Sequence, residues 1–144
     1  GQGPEREEKW LTNYQEALVQ AKEQERLVFV DFTGYTCTNC RWMEANIFIL
    51  DKVQDLFNQF VLVRLYTDGI ELEHEENLRF EQDRFGTIAL PLYAVMSPQD
   101  EILSTFPGLT RNREEFINFL ENGLAWNKGE MPHSQVSDLV KIGR

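Results

Sequence analysis

The chain holds two cysteines, Cys37 and Cys40, and they stand three residues apart in Gly34-Tyr35-Thr36-Cys37-Thr38-Asn39-Cys40. Three chemistries use such a pair. A zinc site would need two further ligands. The histidines, His74 and His133, lie far apart, and there is no second C-x-x-C. A purely structural disulfide closing so short a loop would constrain the unfolded chain little. A redox pair fits best, because the motif follows a strand-like run within an α/β pattern. In that chemistry the Cys37 thiolate attacks a substrate disulfide and Cys40 resolves the mixed disulfide. Cys37 falls where a helix begins, so unpaired N–H groups and the positive end of the helix dipole can stabilise its thiolate.

Other residues are candidates for the same site. Asp31 ends an apolar run six residues before Cys37. Burial there would raise its pKa and fit it to accept and return a proton. Glu44 lies one turn beyond Cys40 on the same helix face, where its charge would raise the pKa of the thiols. Tyr35 and Thr36 rim the cysteines. Arg41 reads as a solvated cation and Trp42 as a packing residue. His74, within Glu71-Leu72-Glu73-His74-Glu75-Glu76, reads as part of a solvated helix face.

The elements that must position these groups follow from periodicity. Glu5 to Glu25 reads as a helix with Trp10, Tyr14, Ala17, Leu18 and Ala21 on one face. Leu27–Phe32 is a nearly continuous apolar run, suited to a strand covered on both faces. A helix follows with Cys40, Met43 and Ile47 on its inner face. A break near Ile49–Asp51, with Asp51 as candidate N-cap, leads to Val53, Leu56 and Phe57. Phe60–Leu65 is a second strand. Gly69 to Asp83 reads as a helix ended by Gly86. Leu92–Met96 and Glu101–Phe106 flank the turn Ser97-Pro98-Gln99-Asp100, a hairpin signal. The proline of Leu90-Pro91 sits at a strand's first residue, where its missing N–H is tolerated. A last helix, with Asn112 and Glu115 as a capping pair, would bury Phe116, Phe119, Leu120 and Leu124. The expected architecture is α/β: a central mixed β-sheet flanked by helices on both faces. Residues 1–126 form one domain, and 127–144 a polar tail.

Composition bounds the function. With 144 residues, 42% hydrophobic and 12% aromatic, the chain has the material for one core. A formal net charge of −10 argues against nucleic acid and anionic membrane surfaces as partners. No apolar run approaches the roughly 20 residues of a membrane helix. Gly1-Gln2-Gly3-Pro4-Glu5 lacks the features of a signal peptide and reads as a cut end or a cloning scar.

Val30-Asp31-Phe32 followed by Cys37-Thr38-Asn39-Cys40 resembles the thioredoxin superfamily, over roughly residues 5–126. Within it, Phe32-Thr33-Gly34-Tyr35-Thr36-Cys37-Thr38-Asn39-Cys40-Arg41-Trp42-Met43-Glu44 is most similar to the C-terminal periplasmic domain of DsbD-type thiol:disulfide interchange proteins. The resemblance implies a thioredoxin-like fold and a thiol:disulfide oxidoreductase that acts as a reductant or electron relay. It implies that Asp31 is the buried acid and that Glu44 accompanies it. It also implies a cis Pro91 lying against the cysteines, with the Leu90 backbone offered to a substrate peptide. Leu90 departs from the usual Thr, which leaves substrate preference open. Thr38-Asn39 replaces Gly-Pro, and the absence of a basic residue between the thiols argues against an oxidant. No cofactor beyond the Cys37–Cys40 disulfide is expected. Partners would be disulfide-containing proteins and an upstream reductant, such as a membrane electron-transfer domain, met by a monomer in the periplasm. A C-x-x-C pair would suit a cytosolic protein equally well. The rival readings are a binding module with an inert C-x-x-C and a disulfide oxidase or isomerase.

Overall fold

The computed structural model describes residues 9–127. The elements run β1 (Trp10–Leu11), α1 (Tyr14–Gln24), β2 (Val28–Thr33), α2 (Thr38–Asn46), α3 (Asp51–Phe57), β3 (Val61–Tyr66), α4 (Leu72–Phe85), β4 (Leu92–Met96), β5 (Ile102–Pro107) and α5 (Arg113–Asn127). Asn127, expected to open the polar tail of 127–144, instead ends α5, and the rest of that tail lies outside the described residues. No helix among the described residues is long and apolar enough to cross a membrane.

The strands form one mixed sheet in the order β1-β3-β2-β4-β5. β1 and β2 pair with β3 in parallel, β4 is antiparallel to β2, and β5 is antiparallel to β4. All of β2 is buried, as its apolar run predicts. Because side chains alternate across a strand, β2 feeds two cores. Val28, Val30 and Phe32 join Tyr14, Ala17, Leu18 and Ala21 of α1. Phe29 faces the other way, into a cluster with Met43, Phe57, Tyr93 and Phe116. Asp31 shares that second face by period two. Central placement therefore puts an acid beneath the helix that carries the cysteines.

The aromatic side of the core turns about Phe29. Its ring lies 5.0 Å from Phe57, 5.8 Å from Tyr93, 6.0 Å from Trp10 and 6.2 Å from Phe116. Phe29→Ala is expected to lower stability by about 3–5 kcal/mol, through lost burial and the cavity left among these rings. Urea unfolding midpoints at constant slope would measure it.

Three expectations need correction. The first helix does not include Trp10. The Asn13 side chain accepts the Glu16 N–H (2.9 Å) and caps α1 there. Trp10, one turn earlier at matching spacing, instead pairs with Leu62 in a two-residue strand and stacks among Phe29, Phe48 and Phe57. Asp51 is the first residue of α3, and Leu50 is its N-cap without a side-chain bond. A carboxylate at that first position still complements the helix dipole. At α5 Asn112 accepts the Glu114 N–H (3.0 Å), but the Glu115 carboxylate accepts from the Thr110 hydroxyl (3.3 Å), so the reciprocal pair is not made.

The acidic helix α4 ends at Gly86 as expected, with φ of +73°. Its inner face is not wholly apolar, because His74 and Glu81 are buried alongside Phe80 and Phe85. Desolvation pushes the Glu81 carboxyl up to about 8, so it is largely protonated at neutral pH.

Candidate active site

The site begins where β2 runs out. Gly34-Tyr35-Thr36 leaves the sheet, and Cys37 becomes the N-cap of α2 in an extended conformation (φ −80°, ψ 104°). Its Sγ accepts the Cys40 N–H at 3.1 Å, the bond an N-cap side chain makes to an otherwise unpaired amide. The two cysteines are joined in a disulfide, with their Cα atoms 5.2 Å apart. Cys37 is partly exposed, whereas Cys40 is 1% exposed. The sulfur with access is therefore the one at the helix terminus, and its partner is shielded.

The loop in front of Cys37 is held from the segment between β3 and α4. The Asp68 carboxylate accepts the Tyr35 N–H (2.8 Å), the Thr36 N–H (3.2 Å) and the Thr36 hydroxyl (3.1 Å). Desolvation acts to raise the Asp68 pKa, but these donors together hold it below the usual carboxylate range. Tyr35 stacks on Tyr66 with ring centres 4.0 Å apart, and its hydroxyl lies 3.1 Å from Nε2 of His74. Both Tyr35 and Thr36 are exposed at the rim.

The Leu90–Pro91 peptide bond is cis. Pro91 is buried and Leu90 half-buried. A Cβ at Gly34 would stand 2.8 Å from Asp68 Oδ2 and 3.0 Å from Leu90 Cδ1, so only glycine lets the three loops converge here. Leu90 thus lies directly against the cysteine loop, although its segment is distant in sequence.

Asp31 is 1% exposed and lies across the sheet from Arg64 on β3 and Tyr93 on β4. Arg64 Nε donates to Asp31 Oδ2 at 2.9 Å, and its guanidinium sits 4.0 Å from the centre of the Trp10 ring. Desolvation dominates, however. It raises Asp31 to about 6 against the pull of Arg64, with a smaller push from Glu44 and an opposing pull from Arg41. That Glu44 and Arg41 act on Asp31 places the acid under the first turns of α2.

Glu44 pairs with Arg41 (3.1 Å) and is partly shielded. Arg41 also donates to the Thr33 hydroxyl (2.9 Å) and the Gly34 carbonyl (3.1 Å). It is not a freely solvated cation. It fastens α2 to the loop that carries Cys37, with its charge opposed by Glu44. Trp42 packs against the aromatic core under the Arg111 guanidinium, 5.0 Å from its ring centre.

The structure thus gathers Cys37, Cys40, Asp31, Glu44, Tyr35, Thr36, Leu90 and Pro91 around one end of β2 and α2. Sequence reasoning missed Arg64, Asp68, Tyr66 and His74. Arg64 had a signal, since it is the one charge in the strand Val61–Tyr66. His74 is a correction: it is buried and reaches Tyr35 rather than solvent.

These features, a C-x-x-C disulfide at a helix start on a mixed sheet with a buried acid in the strand that leads to it, define a thioredoxin-like thiol:disulfide oxidoreductase. The thioredoxin-like family model matches residues 9–98, and the chain belongs to that family. No curated protein matches the sequence significantly. Among solved structures, a thioredoxin from Thermus thermophilus is 23% identical, with a TM-score of 0.64 over 83% of this chain and 93% of that one. The oxidised C-terminal domain of DsbD from Neisseria meningitidis is 16% identical, with a TM-score of 0.64 over 79% and 98%. A disulphide isomerase from Xylella fastidiosa is 20% identical, with a TM-score of 0.53 over 64% and 69%. At these identities the likeness is one of fold.

Proposed function

We propose that the domain is a reductant or electron relay of the DsbD C-terminal type. It would take electrons from an upstream dithiol and pass them to disulfides of other proteins. The Cys37 thiolate attacks the substrate disulfide, forming one S–S bond and releasing one substrate thiolate. Cys40 then gives up its proton and attacks Cys37, releasing the second thiolate and leaving the Cys37–Cys40 disulfide. Two electrons have moved, and a second dithiol must restore the pair. No other cofactor enters.

The observation that carries the reading is the buried acid on the strand beneath α2. A strong oxidant of this chemistry stabilises its reduced form. Here the charged groups on the strand and helix that carry the cysteines are the buried Asp31 carboxylate and an Arg41–Glu44 pair whose charges oppose each other. A carboxylate beside a thiolate disfavours it, which keeps the dithiol a willing donor. Placement in the periplasm, within or beside a membrane electron-transfer protein, is part of the same proposal. It is supported by the motif around Cys37 and by the shared fold. A monomer fits a site completed by one chain.

The test is the redox equilibrium of the purified domain against glutathione buffers, scored by thiol alkylation. A value near the roughly −270 mV of thioredoxin is expected. A value near the roughly −120 mV of a strong oxidant would overturn the relay in favour of a disulfide-forming enzyme. A pair that does not cycle would leave a binding module.

A further inference from the structure

His74 is buried at the third position of α4, where its Nδ1 accepts the backbone N–H of Glu71 (3.2 Å). Its Nε2 faces the Tyr35 hydroxyl at 3.1 Å, and the two rings meet edge to face, 5.4 Å apart. Gly69 makes the seat, since a Cβ there would overlap the imidazole. Helix capping alone would use only one of these nitrogens.

Hydrogen-bond logic fixes the tautomer. A neutral imidazole carries one N–H. Nδ1 already accepts, so the proton sits on Nε2 and is donated to the Tyr35 oxygen. The phenol hydrogen must then point away from His74. Stacking on Tyr66 fixes the ring plane, and the Asp68 carboxylate pins the backbone of Tyr35 and Thr36. Tyr35 is 54% exposed and two residues from Cys37. Partial desolvation, and then Tyr66, Glu73, Asp68 and Glu71, raise its pKa, so the phenol stays protonated. The result is a directed O–H donor at the rim of the redox pair. The carboxylates nearby disfavour an anionic acceptor. A neutral carbonyl, present at every residue of a peptide around a substrate cysteine, is the complementary group.

We propose that His74 is a positioning residue that aims the Tyr35 hydroxyl at a backbone carbonyl of a peptide disulfide docking on Cys37. The inference rests on the oxidoreductase reading and names what that site prefers: disulfides carried on peptide, over small disulfides without a peptide group.

Two disulfides test it: a neutral disulfide-cyclised peptide, and bis(2-hydroxyethyl) disulfide, which has no carbonyl. The readout is the ratio of their second-order rate constants with the reduced domain. Tyr35→Phe and His74→Asn are expected to lower that ratio about tenfold, the scale of one lost hydrogen bond. Asn can still cap the Glu71 N–H but cannot reach Tyr35. His74→Gln carries an amide N–H to the place of Nε2 and is expected to restore the ratio to within about twofold. Nitrogen-15 shifts of His74 should report the Nε2–H tautomer. An unchanged ratio in His74→Asn, equal slowing of both disulfides, or the Nδ1–H tautomer would each overturn the inference alone. A wild-type domain that reduces neither disulfide would overturn the oxidoreductase reading and this inference with it.

Discussion

Cys37→Ser is expected to abolish disulfide reduction, with a loss of at least about a thousandfold, and Cys40→Ser to arrest the reaction as a mixed disulfide on Cys37. The asymmetry follows from where α2 begins. Cys37 is its N-cap and partly exposed, and its sulfur receives the Cys40 N–H at 3.1 Å. A thiolate formed there keeps that bond and the field of the helix terminus. Cys40 sits one turn in, nearly without exposure, and can reach only a sulfur already attached to Cys37. Serine at position 40 provides no thiolate for the second attack, so the first adduct accumulates. Mass spectrometry of each variant after incubation with a disulfide peptide would show the adduct on Cys40→Ser and none on Cys37→Ser. Adducts in equal yield on both variants would mean that the sulfurs are interchangeable, and the assignment of nucleophile would fail.

The chemistry of the pair was legible because it depends on local pattern. An apolar run, a three-residue loop and a helical period put Cys37 at a helix start whatever the rest of the chain does. Asp31 was legible for the same reason, since a lone acid in a strand buried on both faces has nowhere to solvate. What escaped were contacts made across the fold. Asp68 and His74 hold the cysteine loop from the far side of the β2–β3 crossover, 32 to 39 residues away in sequence. Helical periodicity reports which face of α4 a residue takes, but not that the face abuts a tyrosine. His74 among four glutamates therefore looked solvated. Trp10 misled in the opposite way. Its spacing from Tyr14 is helical, and only the Asn13 cap, a single side-chain bond, decides that the helix starts after it.

Asp31 carries the second large prediction, and it joins activity to stability. Its folded pKa is about 6, against 3.8 for the free side chain. The folded state therefore binds this proton more tightly than the unfolded chain, and the contribution of Asp31 to stability is greatest below pH 3.8. That contribution falls as pH climbs through the window to about 6, by about 3 kcal/mol in all, and is constant above it. Activity runs the other way. In the proposed relay ionised Asp31 takes the proton from Cys40, so the rate of the resolving step should rise with pH and level off above about 6. Asp31→Asn is expected to remove that inflection and slow the step about a hundredfold at pH 7. Asn mimics the protonated acid, so the variant should also be more stable than wild type at pH 7, by up to about 3 kcal/mol, and equal to it near pH 3. Removing the counter-charge with Arg64→Met should move the wild-type inflection upward, because Arg64 is the main group that holds the acid ionised. Single-turnover rates across pH 4–8, with urea unfolding at pH 3 and pH 7, would measure all three. If Asp31→Asn kept the inflection, another group would be the proton acceptor. If it lost stability at pH 7, the Arg64 ion pair would outweigh desolvation, and Asp31 would be a structural residue.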